Sequence, residues 1–398
     1  MLQLSDLHFG PHSRFAGVDM EALGARCADA VRDAREQLDF REPVAVVLVT
    51  GDVAEAARPG EYDSALVFFG ALVARLGVAR SAVVFVPGNH DVSWTRCKEI
   101  EGQLHDGMFP ASELRARLDA VKLMRFDDMV ARFYDPALPR HDGAGPGPAR
   151  PATAGHVTAL PRGAYVHDFD EHALSIAALD SCEVESHRDD DHRGTIGEDQ
   201  AQAVLAHWRD DTGHVDRIRI LAVHHNPVPT IPASIREWRD WLRTQVRRDK
   251  LDAALFEHFA ADAVGFDGHQ RLQAIAADAQ VSLLFHGHHH ASDATHAWAW
   301  RGRRASGDTR VISAGSWGLI AKKLPAEQPV VMQLVRIDPG AALVRPVLLR
   351  YEPRARADGT VEPGAFVVDE VTRRQAPLAL SVPSAARAPR PSRKSSPP

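Results

Sequence analysis

The sequence has little cysteine and no long apolar run, and each absence excludes a class of protein. Cysteine occurs only at Cys27, Cys97 and Cys182, without a C-x-x-C pair, so neither a disulfide framework nor a thiolate zinc site is predicted. No apolar stretch approaches the roughly 20 residues that a membrane helix needs. The first residues lack the basic and apolar segments of a signal peptide. We therefore expect a cytoplasmic protein with no membrane partner.

Charge and composition exclude further classes of protein. The 398 residues include 47 Lys and Arg against 53 Asp and Glu, a formal net charge of −6, and 44% are hydrophobic. This balance is ordinary for a globular protein and excludes a wholly disordered chain, a collagen-like repeat or a simple coiled coil. The mild acidity does not favour a nucleic-acid partner, although a local basic groove would still allow one.

Five short apolar runs end directly in polar residues, and helical patterns separate them. The runs are residues 2–5, 44–49, 82–86, 218–223 and 281–285. Near-continuous aliphatic runs of this length are typical of strands buried on both faces, with helices packed against them. The sequence therefore predicts an α/β fold. Because ligands bind at the carboxyl ends of strands in open α/β sheets, the polar residues after each run are candidate site residues.

Side chains that bind metal ions follow each of the five runs. These candidate ligands are Asp6, His8, Asp52, Asn89, His224, His288 and His290. Alternate residues of an extended chain point to the same side, so the D-x-H and H-x-H patterns each aim two ligands at one point. Any one of these patterns is a weak signal, but five in series after predicted strands are a strong one.

The ligand types predict the number and the kind of metal ion. Carboxylate, amide and imidazole ligands without thiolate suit divalent Mn, Fe, Zn or Co. The set exceeds what one tetrahedral zinc requires, whereas two ions sharing a bridging carboxylate use all of it. Such a pair activates a bridging hydroxide for attack on a phosphate ester. His90 is then left to protonate the leaving oxygen or to stabilise the developing charge.

Taken together, these motifs resemble the pattern of the calcineurin-like metallophosphoesterase superfamily. The matching segments are Asp6-Leu7-His8, Gly51-Asp52, Gly88-Asn89-His90-Asp91, His224 and Gly287-His288-His289-His290. Their order and approximate spacing agree over about residues 2–320. The resemblance implies a β-sandwich flanked by helices, in αββα layers. It also implies a domain at 1–350 with a Pro/Gly-rich loop at 135–163 and a helical insertion at about 228–280. A terminal extension at 351–375 and a disordered tail at 376–398 complete the expected organisation.

The resemblance also assigns a role to each candidate residue. Asp6, His8 and His290 would hold the first metal ion, and Asn89, His224 and His288 the second. Asp52 would bridge the two ions. Glu55 stands where relatives often carry the acidic or histidine partner of the catalytic histidine, so it would orient His90. His225 would lie behind the ligands or face the substrate.

Softer similarities point to a phosphodiesterase. Gly51 to Glu55, Leu179-Asp180-Ser181 and Gly194 to Gln200 are similar to bacterial cyclic-nucleotide (class III) phosphodiesterases. A DNA exonuclease or endonuclease of the same superfamily is an alternative, with the arginine-rich segment 231–250 as its groove. That segment is equally well explained as an amphipathic surface helix. A non-catalytic metal-binding scaffold is the third alternative, although no ligand of the motif has been lost.

Overall fold

The computed structural model describes most of the chain. The described residues are 1–139, 157–188, 191–210, 216–227, 266–267, 269–288, 298–300, 308–318, 330–355 and 361–382. The predicted candidate His290 and the segment 231–250 lie outside these residues.

Strands and helices alternate through much of the described chain. The strands are β1 Leu2–Leu4, β2 Val47–Thr50, β3 Val83–Val86, β4 Val157–Ala159, β5 Tyr165–Phe169, β6 Leu174–Ala178, β7 Gly194–Thr195, β8 Ile218–Ala222, β9 Phe266–Asp267, β10 Leu283–His286, β11 Trp298–Trp300, β12 Thr309–Ser313, β13 Val331–Asp338, β14 Leu343–Ala355, β15 Val361–Val368 and β16 Leu378–Ala379. The helices are α1 Met20–Gln37, α2 Pro59–Leu76, α3 Trp94–His105, α4 Leu114–Val121, α5 Met124–Tyr134, α6 Glu198–Asp210, α7 His269–Asp278 and α8 Glu370–Arg373.

Local sequence explains the bounds of the two longest helices. The side chain of Asp19 caps α1 by accepting from the amides of Glu21 and Ala22, which satisfies two donors that a helix start leaves unpaired. Pro59 stands at the first turn of α2, where its missing N–H costs nothing. Gly77 ends that helix in the left-handed conformation, at φ 70°, as is common at helix carboxyl ends.

Two mixed sheets form the centre of the fold. The first has the order β15-β14-β13-β1-β2-β3, with β16 paired to β14, and the second has the order β11-β12-β10-β8-β6-β5-β4. Strands β1, β2 and β3 are parallel, and so are β6, β8, β10 and β12. Each sheet therefore gathers several carboxyl strand ends at one edge, and five of these strands, β1, β2, β3, β8 and β10, precede the predicted ligands.

Burial separates the molecule into layers. Leu48 of β2 packs between the sheets with Ile220 and Phe285. Its neighbours Val47 and Val49 face the opposite side, in a cluster that includes buried residues of α1, α2 and α5. A further cluster joins the outer face of the second sheet to α6 and α7. Because side chains alternate across a strand, a continuous apolar run fills both faces at once. The predicted α/β fold with helices on both sides of two sheets is confirmed.

The carboxyl-terminal part of the chain differs from the prediction. The boundary predicted at residue 350 falls inside β14, which pairs with β15 from Leu349 to Ala355. Within the predicted extension at 351–375, the described residues 351–355 and 361–368 are thus strands of the first sheet. Within the predicted tail, β16 pairs with β14 and Leu380 is buried. A pattern rich in Pro, Ser and Arg conceals these few pairing residues, because the neighbouring strand supplies most of their stability.

The predicted loop and the predicted helical insertion are described only in part. The predicted loop at 135–163 ends in β4, which pairs with β5. The predicted insertion at 228–280 is described from residue 266, where β9 pairs with β7 and α7 forms. Among the helices within the described ranges, none combines the length and the apolar character that crossing a membrane requires.

The central strand β1 is only three residues long and pairs with both β2 and β13. Leu4 is fully buried in it, so Leu4→Ala should lower the free energy of unfolding by about 2–5 kcal/mol through lost burial and a residual cavity. Chemical denaturation measures this change. The control Val67→Ala removes a side chain that is 49% exposed and should stay within about 0.5 kcal/mol of wild type. Equal effects of the two substitutions would contradict the assignment of β1 to the core.

Candidate metal centre

The predicted ligands converge where the carboxyl ends of the two sheets meet. Asp6, Asp52 and Asn89 follow strands of the first sheet, whereas His224 and His288 follow β8 and β10 of the second. Six of the seven predicted ligands lie together in the structure, and His290 is outside the described residues. The Asp6, His8, Asp52 and His224 side chains are almost completely buried.

The Asp52 carboxylate lies at the centre of this cluster. Its Oδ2 atom is 3.6 Å from His8 Nε2 and 3.4 Å from His224 Nε2. Two groups of potential metal ligands share it, one with His8 and His90 and the other with Asp6 and His224, and within each group the ligand atoms lie within 4.8 Å of one another. One carboxylate is therefore within reach of two adjacent ligand groups.

Asn89 joins the first sheet to the second. Its Oδ1 atom lies 3.0 Å from His224 Nε2 and 3.1 Å from His288 Nδ1. The backbone amide of His288 donates to Asp6 Oδ2 over 3.3 Å. Ligands that are up to about 280 positions apart in the sequence thus contact one another directly.

The backbone at the site is held in an uncommon conformation. Asp6, His8, Asp52 and His288 have φ values of 54°, 47°, 52° and 72°. Left-handed backbone at residues other than glycine costs on the order of 1–3 kcal/mol each and persists only where the surrounding structure imposes it. Here it turns the chain sharply past each strand end, so that consecutive ligands face a common point.

The glycines of the motifs are required by close approach. Gly51 has a φ of 92°, and a Cβ atom there would overlap the imidazole of His224. A Cβ atom at Gly88 would overlap the Asp52 carboxylate. Each glycine therefore leaves the space that a ligand from another segment occupies.

Electrostatics couples the buried ligands. Burial by itself would raise the pKa of Asp52, but the imidazoles of His224, His90 and His8 outweigh it and hold that pKa well below its ordinary value. Burial would likewise lower the pKa of His224, yet the Asp52 and Asp6 carboxylates raise it to about 9. A metal ion that binds these imidazoles must displace such protons.

The donor set fits divalent metal ions. It combines two buried carboxylates, an amide oxygen and imidazoles, and it includes no thiolate. Borderline to hard ions of the Mn, Fe, Zn or Co type prefer such ligands. The close carboxylates would repel one another in an interior of low dielectric constant, and cations between them remove that cost.

His90 is oriented by the main chain of Glu55. Its Nδ1 atom lies 2.7 Å from the Glu55 carbonyl oxygen. A carbonyl oxygen only accepts, so Nδ1 carries the proton and Nε2 is left for chemistry. The Glu55 carboxylate instead accepts from the amide of His12 over 3.0 Å. The hydrogen bond to His90 therefore comes from the Glu55 backbone, and a role of the Glu55 carboxylate in orienting His90 stays a prediction.

Asp91 ties the ligand-bearing loops together. Its carboxylate accepts from the amides of Val53, Ala54 and Gly88 at 3.0–3.2 Å. The hydroxyl of Tyr62 donates to it as well, over 3.2 Å. Burial, with a contribution from the charge of Asp52, raises the pKa of Asp91 to about 6. The last residue of the G-N-H-D motif is therefore a structural anchor between the ends of β2 and β3.

The predicted motif residues Asp180, Ser181 and Gln200 also form hydrogen bonds that involve main-chain atoms. Gln200 exchanges two hydrogen bonds of 3.0 Å with the backbone of Asp180. The next residue, Ser181, accepts from the amides of His224 and His225 over 3.3 Å, and its Oγ lies 2.9 Å from His225 Nδ1. His225 is fully buried. It lies behind the ligands and does not face the solvent.

Beside His90 the structure places three residues that the sequence analysis does not select. They are Trp94, Glu185 and His192. Trp94 is the third residue after the G-N-H-D motif and begins α3, so an aromatic residue next to the motif was an available signal. No comparable signal marks Glu185 or His192, because long-range contacts bring them to the site.

The substitution Glu55→Ala tests the main-chain orientation of His90. The backbone carbonyl is unchanged, so we expect the rate of hydrolysis of an alkyl phosphodiester to stay within a few-fold of wild type. His90→Ala, by contrast, removes acid–base help worth about 10²–10⁴-fold. Glu55→Gln, which keeps an acceptor for the His12 amide, is the matched control. A loss in Glu55→Ala as large as in His90→Ala, at equal melting temperature, would return the role to the carboxylate.

Comparison with known proteins agrees with this geometry. The family model described as calcineurin-like phosphoesterase matches residues 1–292, well over half of the chain. A search of curated proteins gives no match. The matched range includes every candidate ligand and His90. The chain therefore belongs to the calcineurin-like phosphoesterase family, whose metal-dependent members hydrolyse phosphoric esters.

Proposed function

We propose that the protein is a dinuclear phosphodiesterase. The observation that supports this most directly is the position of Asp52, whose Oδ2 atom lies 3.6 Å from His8 Nε2 and 3.4 Å from His224 Nε2. A bridging carboxylate between two ions about 3.5–4 Å apart is the arrangement by which many phosphoester hydrolases work. Asp6, His8 and His290 would hold one ion, and Asn89, His224 and His288 the other.

The metal ions supply one part of the chemistry. When bound, divalent ions such as Mn, Fe, Zn or Co activate water and neutralise the charge of the phosphate group. The protein contributes the dry, shaped site around them. Its buried ligands are supported from behind by Ser181 and Asp91, so they are oriented before substrate arrives.

His90 supplies the proton at the leaving oxygen. Its backbone amide donates to Asp52 Oδ1 over 2.8 Å, and its ring packs edge-on against His8 with 4.7 Å between centroids. With Nδ1 engaged by the Glu55 carbonyl, proton transfer takes place at Nε2. A histidine fixed in this way pays little entropy in the reaction.

A diester is the substrate class that the motifs favour. The Asp180, Ser181 and Gln200 positions similar to bacterial cyclic-nucleotide phosphodiesterases support the ligand turn at His224. The nuclease alternative depends on the segment 231–250, and a scaffold has no need for the strained ligand backbone. We keep the predicted cytoplasmic location as part of this proposal, since the sequence carries no disulfide framework.

Loss of the bridging carboxylate should lower the metal content and abolish the activity. We expect about two divalent ions per chain in wild type after reconstitution, and fewer in Asp52→Asn. That variant leaves the two ligand groups without a shared negative charge, so its loss of activity should be the largest among single substitutions. Elemental analysis and turnover of bis-p-nitrophenyl phosphate and p-nitrophenyl phosphate measure both effects.

Asp39→Asn, at an exposed aspartate, is the control. Full activity of wild type in EDTA would refute the proposal of a metal-dependent enzyme. Preference for the monoester would refute the assignment of a diester as the substrate.

His90 should matter most for poor leaving groups. His90→Ala should keep its metal content and lose about 10²–10⁴-fold in turnover of an alkyl ester. The loss should shrink for p-nitrophenolate, which departs without a proton. An equal loss for good and poor leaving groups would show that His90 only positions the substrate.

A further inference from the structure

A loop beside the metal centre is docked on α3 at two points. At one end of α3, the rings of Trp94 and His192 lie 4.9 Å apart with an interplanar angle of 31°. Further along the helix, Glu101 pairs with His187 at 3.2 Å and with Arg188 at 2.9 Å. These contacts hold the loop against the helix that follows directly after the catalytic histidine.

A buried carboxylate fixes the orientation of His192. Glu185 has no exposed side-chain surface, and its Oε1 atom lies 2.5 Å from His192 Nδ1. Its Oε2 atom is 3.8 Å from His225 Nε2. Burying a carboxylate costs free energy unless it is paired. The contact with His192 offsets this cost for Glu185. It holds the imidazole of His192 beside the indole of Trp94.

Trp94 presents aromatic surface next to the reacting atoms. Four large apolar side chains are exposed among the described residues, and Trp94 is the one aromatic member of that set, with 36% of its surface accessible. Its ring centroid is 6.1 Å from that of His90, with an interplanar angle of 32°. More than a third of this residue is therefore accessible to solvent, even with two imidazoles beside it.

We propose that Trp94, held by His192, is a stacking surface for a planar heteroaromatic ring of the leaving group. This inference rests on the proposed function and deepens it, because it makes the substrate a nucleoside phosphodiester. An indole binds any flat base through its π face, whichever base it is.

Two phosphodiesters with the same reacting groups test the proposal. One is thymidine 5′-(methyl phosphate), and the other is the same sugar diester without the base. Wild-type protein loaded with Mn²⁺ should prefer the base-bearing diester in kcat/KM by about 5- to 100-fold, the worth of one base–aromatic stack. Trp94→Leu, which keeps apolar bulk but has no ring, should lose this preference, so that the ratio of kcat/KM for the base-bearing diester to kcat/KM for the abasic diester falls toward one. Trp94→Phe should retain most of the preference.

Controls separate stacking from folding and from the chemistry itself. Met108→Ala removes another exposed apolar side chain, 68% accessible, just beyond the far end of α3, and should keep the full preference. Melting temperature and metal content of Trp94→Leu should match wild type; a fall in both, with equal losses on the two diesters, would overturn the proposal in favour of a structural role. Equal wild-type rates on the two diesters would also overturn it and leave the phosphodiesterase proposal standing. Hydrolysis of neither diester, nor of bis-p-nitrophenyl phosphate, would refute the proposed function itself.

Discussion

The rest of the site depends on the contacts that the Asp52 carboxylate makes with the imidazoles around it. It belongs to the first sheet, yet it lies 3.4 Å from His224 of the second sheet and 3.6 Å from His8 of its own. Electrostatic interactions are strongest where water is excluded, so this buried carboxylate attracts both imidazoles and cations. The glycines at 51 and 88 are needed because the ligands approach so closely at this point.

A strained site needs a rigid support. Four ligand residues adopt left-handed backbone, and the ladder of hydrogen bonds continues past the strand ends to hold them, from the Asp6 amide to the Gly51 carbonyl and from the His8 amide to the Asp52 carbonyl. Below them, Phe9 packs against Phe68 and Trp317 at centroid distances of 5.3 and 5.9 Å. This aromatic core is fully buried. It supports the three-residue central strand that precedes the two predicted ligands Asp6 and His8.

The polar residues around the site divide into ligands and supports, and most supports act through the backbone. Asp91 and Ser181 accept hydrogen bonds from backbone amides of the ligand loops, and the Glu55 carbonyl oxygen accepts one from His90. Supports of this kind fix orientation without adding a side chain to the reaction space. The Trp94 and His192 rings instead border that space on its open side, where we place the substrate's own ring. Chemistry and selectivity would thus be carried by separate groups of residues.

The sequence by itself determined the fold class and the candidate ligands, because continuous aliphatic runs specify buried strands and strand ends specify where polar residues gather. Asp6, Asp52, Asn89 and His224 needed no structure to be selected. Only the tertiary structure decided which atom of each residue makes each contact. It gave the orientation of His90 to the Glu55 carbonyl, made β15 and β16 part of the first sheet, and brought Glu185 and His192 to the site. These contacts are made through backbone atoms or single side chains, and no local pattern of residue types records such pairings.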